Sequence, residues 1–235
     1  MYKLDDGLVL GENENVHGSI IGMAVDYLTR FAMGADVMDA FDISCKGAVI
    51  AEQMFQQKGT LKKVGKLLSG INGIDDQSIV NACKIVTYDV WLRNPMGALM
   101  AKGENETNPD ADAVNNIKIM VERSISFWNK YGPIVKDGFT FEPNGYTKTV
   151  DSGDGDYLTA DTLWDFKVTK SKPTNKHTLQ LLMYWIMGQH SGQEIYKTIQ
   201  KLGIFNPRLN IVYLLDMKAI SKEIITEVER DIICY

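Results

Sequence analysis

Cysteine is scarce. Only Cys45, Cys83 and Cys234 occur in 235 residues, an odd number with no C-x-x-C pair. That argues against a disulfide framework and fits a reducing compartment. It also argues against an iron–sulfur cluster, which needs four thiolates. The three histidines, His17, His177 and His190, lack ligand spacing, so zinc is not expected. No apolar run reaches the length of a membrane span. The opening stretch MYKLDDGLVLGENENVHG has no cationic-then-apolar signal pattern. A cytoplasmic protein with no membrane partner is therefore expected. Positive charge is in deficit too: 25 Lys and Arg stand against 30 Asp and Glu, a formal net charge of −5. A general nucleic-acid binder carries a basic balance, although a local basic patch can suffice. No G-x4-GK[ST] loop is present, so any ATP-driven motor would be a partner.

What remains is an ordinary globular composition, 45% hydrophobic and 23% charged. The front half reads as helices. Val16 to Met33 carries an apolar stripe of Ile20, Ile21, Ala24, Leu28 and Phe31. Asp36 to Gln57 suggests a second helix or a pair. Gly59 to Ser69 is a short amphipathic helix whose Lys62, Lys63 and Lys66 read as a solvated face. Asp76 to Arg93 reads as one helix ended by Asn94-Pro95. Asp26–Arg30 and Asp89–Arg93 share a D-x3-R spacing, and the simplest account is two surface i,i+4 ion pairs. Lys102 to Asp112 is loop-like, and Ala113 to Tyr131 is again helical.

The back half changes period. Gly138 to Val150 reads as a first strand region with a turn at Pro143-Asn144-Gly145. Asp156 to Thr159 and Thr162 to Val168 read as strands joined by a tight turn at Ala160-Asp161. Alternation places Asp165 and Lys167 on one face and Trp164 and Phe166 on the other. The hairpin can bring Asp156 beside Asp165. Two close carboxylates repel unless a cation lies between them, and Mg²⁺ prefers oxygen ligands of this kind. His177 to His190 reads as a helix with Gln180 and Tyr184 one turn apart and Leu179, Leu182, Met183 and Ile186 turned to the sheet. Gly192 to Leu202 reads as a short helix, Arg208 to Leu215 as a strand, and Ser221 to Ile233 as a final helix capped by Ser221.

The pattern Asp156, then Asp165-x-Lys167, then Gln180-x3-Tyr184 resembles the PD-(D/E)XK nuclease superfamily in its RecB-like branch. The resemblance spans roughly residues 138 to 188. No proline precedes the first aspartate, and Asp154 is an alternative to Asp156. It implies an α/β fold: a helical N-terminal lobe, residues 1–112, followed by a restriction-endonuclease-like core, residues 113–235, of three strands, helix, strand and helix. It implies a catalytic set of Asp156, Asp165, Lys167, Gln180 and Tyr184. The aspartates would bind Mg²⁺, with Mn²⁺ as a substitute, and Lys167 would serve the nucleophile. A glutamate on the helix before the sheet often completes the metal site in that family, and Glu122 holds that place in chain order; a surface glutamate beside Arg123 is the plain alternative. Where Asp26 stands, many relatives carry a histidine.

The expected function is a metal-dependent nuclease that hydrolyses DNA phosphodiester bonds. The rival is a non-cleaving module of the same fold that binds nucleic acid or a partner protein, in which case an oligomer or a protein partner carries the role. Lys170, Lys172, Lys176 and His177 cluster beside the carboxylates and are the expected phosphate contacts.

Overall fold

The computed structural model describes all residues, Met1–Tyr235, and divides into two compact units. One comprises Asp6–Ser126, and the other joins Met1–Asp5 to Phe127–Tyr235. The division falls at residues 126 and 127 rather than at 112 and 113, within one continuous helix, and the first five residues belong with the sheet.

The Asp6–Ser126 unit is helical: α1 (Gly18–Ala32), α2 (Val37–Ala40), α3 (Asp42–Gln53), α4 (Thr60–Leu68), α5 (Asp76–Ile85), α6 (Asp89–Arg93), α7 (Pro95–Ala98) and most of α8 (Ala111–Tyr131). Short polar side chains start several of these helices. His17 accepts from the Ser19 amide, Asp36 from Met38, and Asp75 from Gln77 and Ser78. The single helix expected over Asp76–Arg93 is instead α5, a 3₁₀ turn at Val86–Tyr88, and α6. The physical reason is a close crossing. A β-carbon on Gly47 of α3 would collide with the Tyr88 carbonyl, so only glycine lets the chains approach there. Asn94-Pro95 does end α6 at Arg93, because Asn94 leaves the helical conformation. Asn94 accepts from the Gly97 amide and Pro95 opens α7.

Burial also corrects the reading of Asp89. Asp26 and Arg30 form the expected i,i+4 pair, Nε to Oδ1 at 3.2 Å. Asp89, however, is only 1% exposed. It accepts from the Tyr27 hydroxyl at 2.5 Å and from the Ser44 hydroxyl, tying α1, α3 and α6 together. Burial raises its pKa, and the two hydroxyl hydrogen bonds and the Arg93 charge only partly oppose that.

The second unit is a six-stranded mixed sheet in the order β1-β6-β5-β4-β3-β2. Its strands are β1 (Tyr2–Lys3), β2 (Lys136–Phe139), β3 (Gly155–Leu158), β4 (Thr162–Phe166), β5 (Lys201–Asn206) and β6 (Ile211–Asp216). Only β4 and β5 run parallel. Helix α9 (Asn175–His190) is the crossover between them, and α10 (Lys222–Glu227) continues as a π-helical turn, Val228–Ile233. On one face Leu181, Leu182 and Ile186 of α9 and Val228 and Ile233 pack on Leu158, Leu163, Leu202 and Ile204. Leu179, expected to pack there, is 36% exposed, and Leu181 takes the inward position. On the other face Phe127 and Trp128 pack on Tyr157, Trp164, Phe205 and Val212.

Two strand assignments differ from expectation. In place of the strand region expected over Gly138–Val150, the strand is β2, Lys136–Phe139, and the chain after it is a loop that turns at Pro143-Asn144-Gly145. The expected helix over Gly192–Leu202 is a 3₁₀ turn, Glu194–Thr198, followed at Lys201 by β5. Leu202 and Ile204 face α9, while Gly203 lies against the Trp164 ring, where a β-carbon would strike the indole. The core order is therefore three strands, helix, two strands, helix.

Candidate functional site

The β3–β4 ladder pairs Tyr157 with Trp164 and Leu158 with Leu163. One step further toward the open end, Asp156 stands across from Asp165, where the backbone ladder has stopped. The Asp156 side chain takes over: its Oδ2 accepts the Phe166 amide at 2.7 Å. Strand β4 keeps its bonding to β5 on the other side, with the Lys167 amide donating to the Phe205 carbonyl at 3.0 Å. The β3–β4 ladder thus ends here, and the Asp156 carboxylate takes the Phe166 amide that the ladder leaves.

Asp165 is 6% exposed. Its Oδ1 lies 2.9 Å from Lys167 Nζ, and its Oδ2 is buried without a hydrogen-bond partner. Burial pushes its pKa up; the charge and hydrogen bond of Lys167 oppose this without cancelling it. Burial works to lower the Lys167 pKa. The charge and hydrogen bond of Asp165, joined by the charges of Asp156 and Tyr184, outweigh it, so Lys167 ends above the ordinary lysine value. Lys167 is therefore a held ammonium at neutral pH.

Helix α9 brings the remaining residues. Its capping box closes on Thr174 and His177, with His177 Nδ1 accepting the Thr174 amide at 3.0 Å. This fixes the ring and leaves the proton on Nε2. One turn on, Gln180 donates to the Tyr184 hydroxyl at 2.8 Å. Burial raises the Tyr184 pKa; the Gln180 bond opposes that, and the charges of Asp154, Asp156 and Asp165 add to it. Tyr184 also packs beside Gly153, 3.7 Å from where a β-carbon would be.

Asp156, Asp165, Lys167, His177, Gln180 and Tyr184 thus gather at one end of the sheet. Asp154, the alternative to Asp156, is exposed on the adjoining loop. Lys170, Lys172 and Lys176 are exposed on the loop into α9 and in its first turn. Glu122 is exposed on α8 in the other unit. No group of three or more His, Cys, Asp or Glu residues placed to hold a metal ion is present.

A divalent cation can still be tested against the two aspartates. Mg²⁺ takes one or two carboxylates and fills its other positions with water and phosphate, so it needs no third protein ligand. The orphaned Asp165 Oδ2 is the kind of buried acceptor that such an ion would satisfy. The residues present fit the ion.

No motif or spacing singles out Tyr146. Its hydroxyl donates to the Gly153 carbonyl at 2.6 Å and accepts the Phe141 amide at 3.3 Å, anchoring the loop that leads into Asp154 and Asp156. Gly153 itself has φ of 143°, where side chains are strained. Only the glycine was a visible signal.

No family model matches this chain, and no curated protein or solved structure matches it.

Proposed function

We propose that the protein is a metal-dependent nuclease that hydrolyses DNA phosphodiester bonds on a PD-(D/E)XK-type core. The observation that carries this reading is the joining of Asp156, Asp165 and Lys167 where the β3–β4 ladder ends, with Gln180 and Tyr184 on the facing helix. A strand pair that only needed to be stable would not bury a carboxylate with one oxygen unpaired.

Asp156 and Asp165 would hold the ion. A bound divalent cation supplies water of lowered pKa and neutralises phosphate charge. Lys167, protonated and fixed by Asp165, stabilises negative charge growing on the phosphate and orients the attacking water; its raised pKa suits it to these roles rather than to accepting a proton. The Gln180–Tyr184 pair braces the wall opposite. His177 offers its Nε2–H, and Lys170, Lys172 and Lys176 offer charge to the flanking phosphates.

A second reading, a non-cleaving module that binds nucleic acid or a protein, draws support from the acidic net charge of −5. Cleavage assays separate the two. Linear and circular DNA, single- and double-stranded, are incubated with Mg²⁺, Mn²⁺ or EDTA, using the native chain, Lys167→Ala and Asp165→Asn. Metal-dependent cutting lost in both variants supports the nuclease. Retained DNA affinity with no cutting in any arm supports the module.

A further inference from the structure

The helical unit holds a polar cavity that the candidate site does not use. It measures ≈ 240 Å³ and lies among α3, α4, α6 and the loop after α7. Two turns frame it. Lys58 stands on one of them, between Gln56 at φ 56° and Gly59 at φ 82°, left-handed positions that give this turn a fixed shape. The Gln57 amide ties the same turn to the Ala51 carbonyl at 3.0 Å. Lys102 begins the other turn, in which the Gly103 carbonyl accepts the Glu106 amide at 3.2 Å and the Thr107 hydroxyl at 3.0 Å. Lys63 of α4 reaches across to this second turn, with its Nζ 2.8 Å from Glu104 Oε1.

Charge decides what the cavity takes. Three ammoniums, Lys58, Lys63 and Lys102, and one carboxylate, Glu104, line it, in a chain of net charge −5. Glu104 keeps only 15% of its side chain exposed. Burial works to raise its pKa; hydrogen bonds from Lys63, the backbone and Tyr88 outweigh it, so Glu104 stays ionised and neutralises Lys63. Lys58 and Lys102 are exposed and form no ion pair. The two ammoniums left over match a dianion. A phosphate monoester carries about −1.5 to −2 near neutral pH, whereas a carboxylate or a phosphodiester carries a single charge. Lysine binds phosphate as a point charge.

Size narrows the ligand further. The cavity falls below the ~300 Å³ at which pockets for drug-sized molecules begin, so the group inside it is small. Lys102, Thr87 and Val90 also border a second, more apolar cleft of ≈ 410 Å³ with Ile20, Met23 and Val86 in its walls. A phosphate held at Lys102 therefore has room beside it for the group it esterifies.

We propose that this cavity binds the phosphate of a small phosphate monoester, a sugar phosphate or a mononucleotide, with Lys58 and Lys102 as its counter-charges. None of these residues belongs to the nuclease reading, and the site stands or falls apart from it.

The test is titration calorimetry of the native chain in EDTA, with ribose 5-phosphate, deoxyadenosine 5′-monophosphate, inorganic phosphate and deoxyadenosine as probes. At least one of the two monoesters should bind, and deoxyadenosine should not. The tighter of the two monoesters tells whether a sugar or a base fills the adjoining cleft. Lys58→Ala and Lys102→Ala, both at exposed positions, should fold as the native chain does by circular dichroism and each weaken binding about tenfold. Lys172→Ala, on the loop into α9, should bind as the native chain does. Absence of monoester binding at millimolar concentration overturns the proposal. So does binding that survives both Lys58→Ala and Lys102→Ala, or that is lost in Lys172→Ala instead. Inorganic phosphate or deoxyadenosine binding as tightly as the monoesters overturns it too.

Discussion

Asp165 and Lys167 are two residues apart on β4 and bonded Oδ1 to Nζ at 2.9 Å, yet the second carboxylate oxygen of Asp165 is buried with no partner. The pair is thus incomplete as an ion pair, with one carboxylate oxygen left to accept. Neighbouring backbone does not fill the gap, because the nearby Phe166 amide is taken by Asp156.

Lys167→Ala is expected to abolish cleavage and to destabilise the fold by about 2–3 kcal/mol, the low end for breaking a buried pair because the lysine side chain keeps 28% exposure. The loss should also grow with pH. The folded-state pKa of Asp165 is already raised above 3.8, and removing Lys167 raises it further. A raised carboxylate leaves the native state binding more protons than the unfolded chain, so stability falls as pH climbs from about 4 through the folded value. Urea melts of both proteins at acidic and neutral pH measure this.

Asp89 in the helical unit carries the same sign. Its pKa is raised chiefly by burial, so its contribution is most favourable at acidic pH and is lost as pH rises. Asp89→Asn should flatten the pH dependence of stability above the ordinary carboxylate value of 3.8. An unchanged slope in denaturant melts would contradict this.

Asp6 has the opposite sign. The Arg123 guanidinium, 2.6 Å from its Oδ2, holds its pKa below the usual carboxylate range. Its stabilisation is present above 3.8 and is lost as pH falls through the lowered value. Asp6→Asn should cost about 1–2 kcal/mol near neutral pH and little at strongly acidic pH, read from thermal melts.

Tyr184→Phe should leave the fold within about 1.5 kcal/mol of native while releasing Gln180 from its 2.8 Å bond. Cleavage is expected to fall about tenfold, on the scale of one lost positioning hydrogen bond. A rate equal to native would remove Gln180 and Tyr184 from the site.

Gly203→Ala should be among the most damaging small substitutions, because the added carbon meets the Trp164 ring. Overpacking of this kind costs about 1–3 kcal/mol or more. The chemical-denaturation midpoint checks it.

The sequence by itself determined what depends on neighbours along the chain. The alternation in TLWDFKV set Asp165 and Lys167 on one face and sent Trp164 and Phe166 into the aromatic layer. The tight turn at Ala160-Asp161 set the Asp156–Asp165 juxtaposition, because hairpin register follows from loop length. The four-residue step from Gln180 to Tyr184 set their hydrogen bond. What local pattern could not decide was partnership across long separations. KLGIFN is too short to declare a period, and it becomes β5 only because β4 offers a parallel edge and Trp164 fills the space above Gly203. Asp89 has the spacing of a surface ion pair, and only the crossing of α1 and α3 with α6 buries it under Tyr27 and Ser44. Tyr146 gains its role solely from where the loop at Gly153 comes to rest. The orphaned oxygen of Asp165 belongs to this second class too: spacing put the carboxylate on the strand, and packing of the sheet against α9 took away its water.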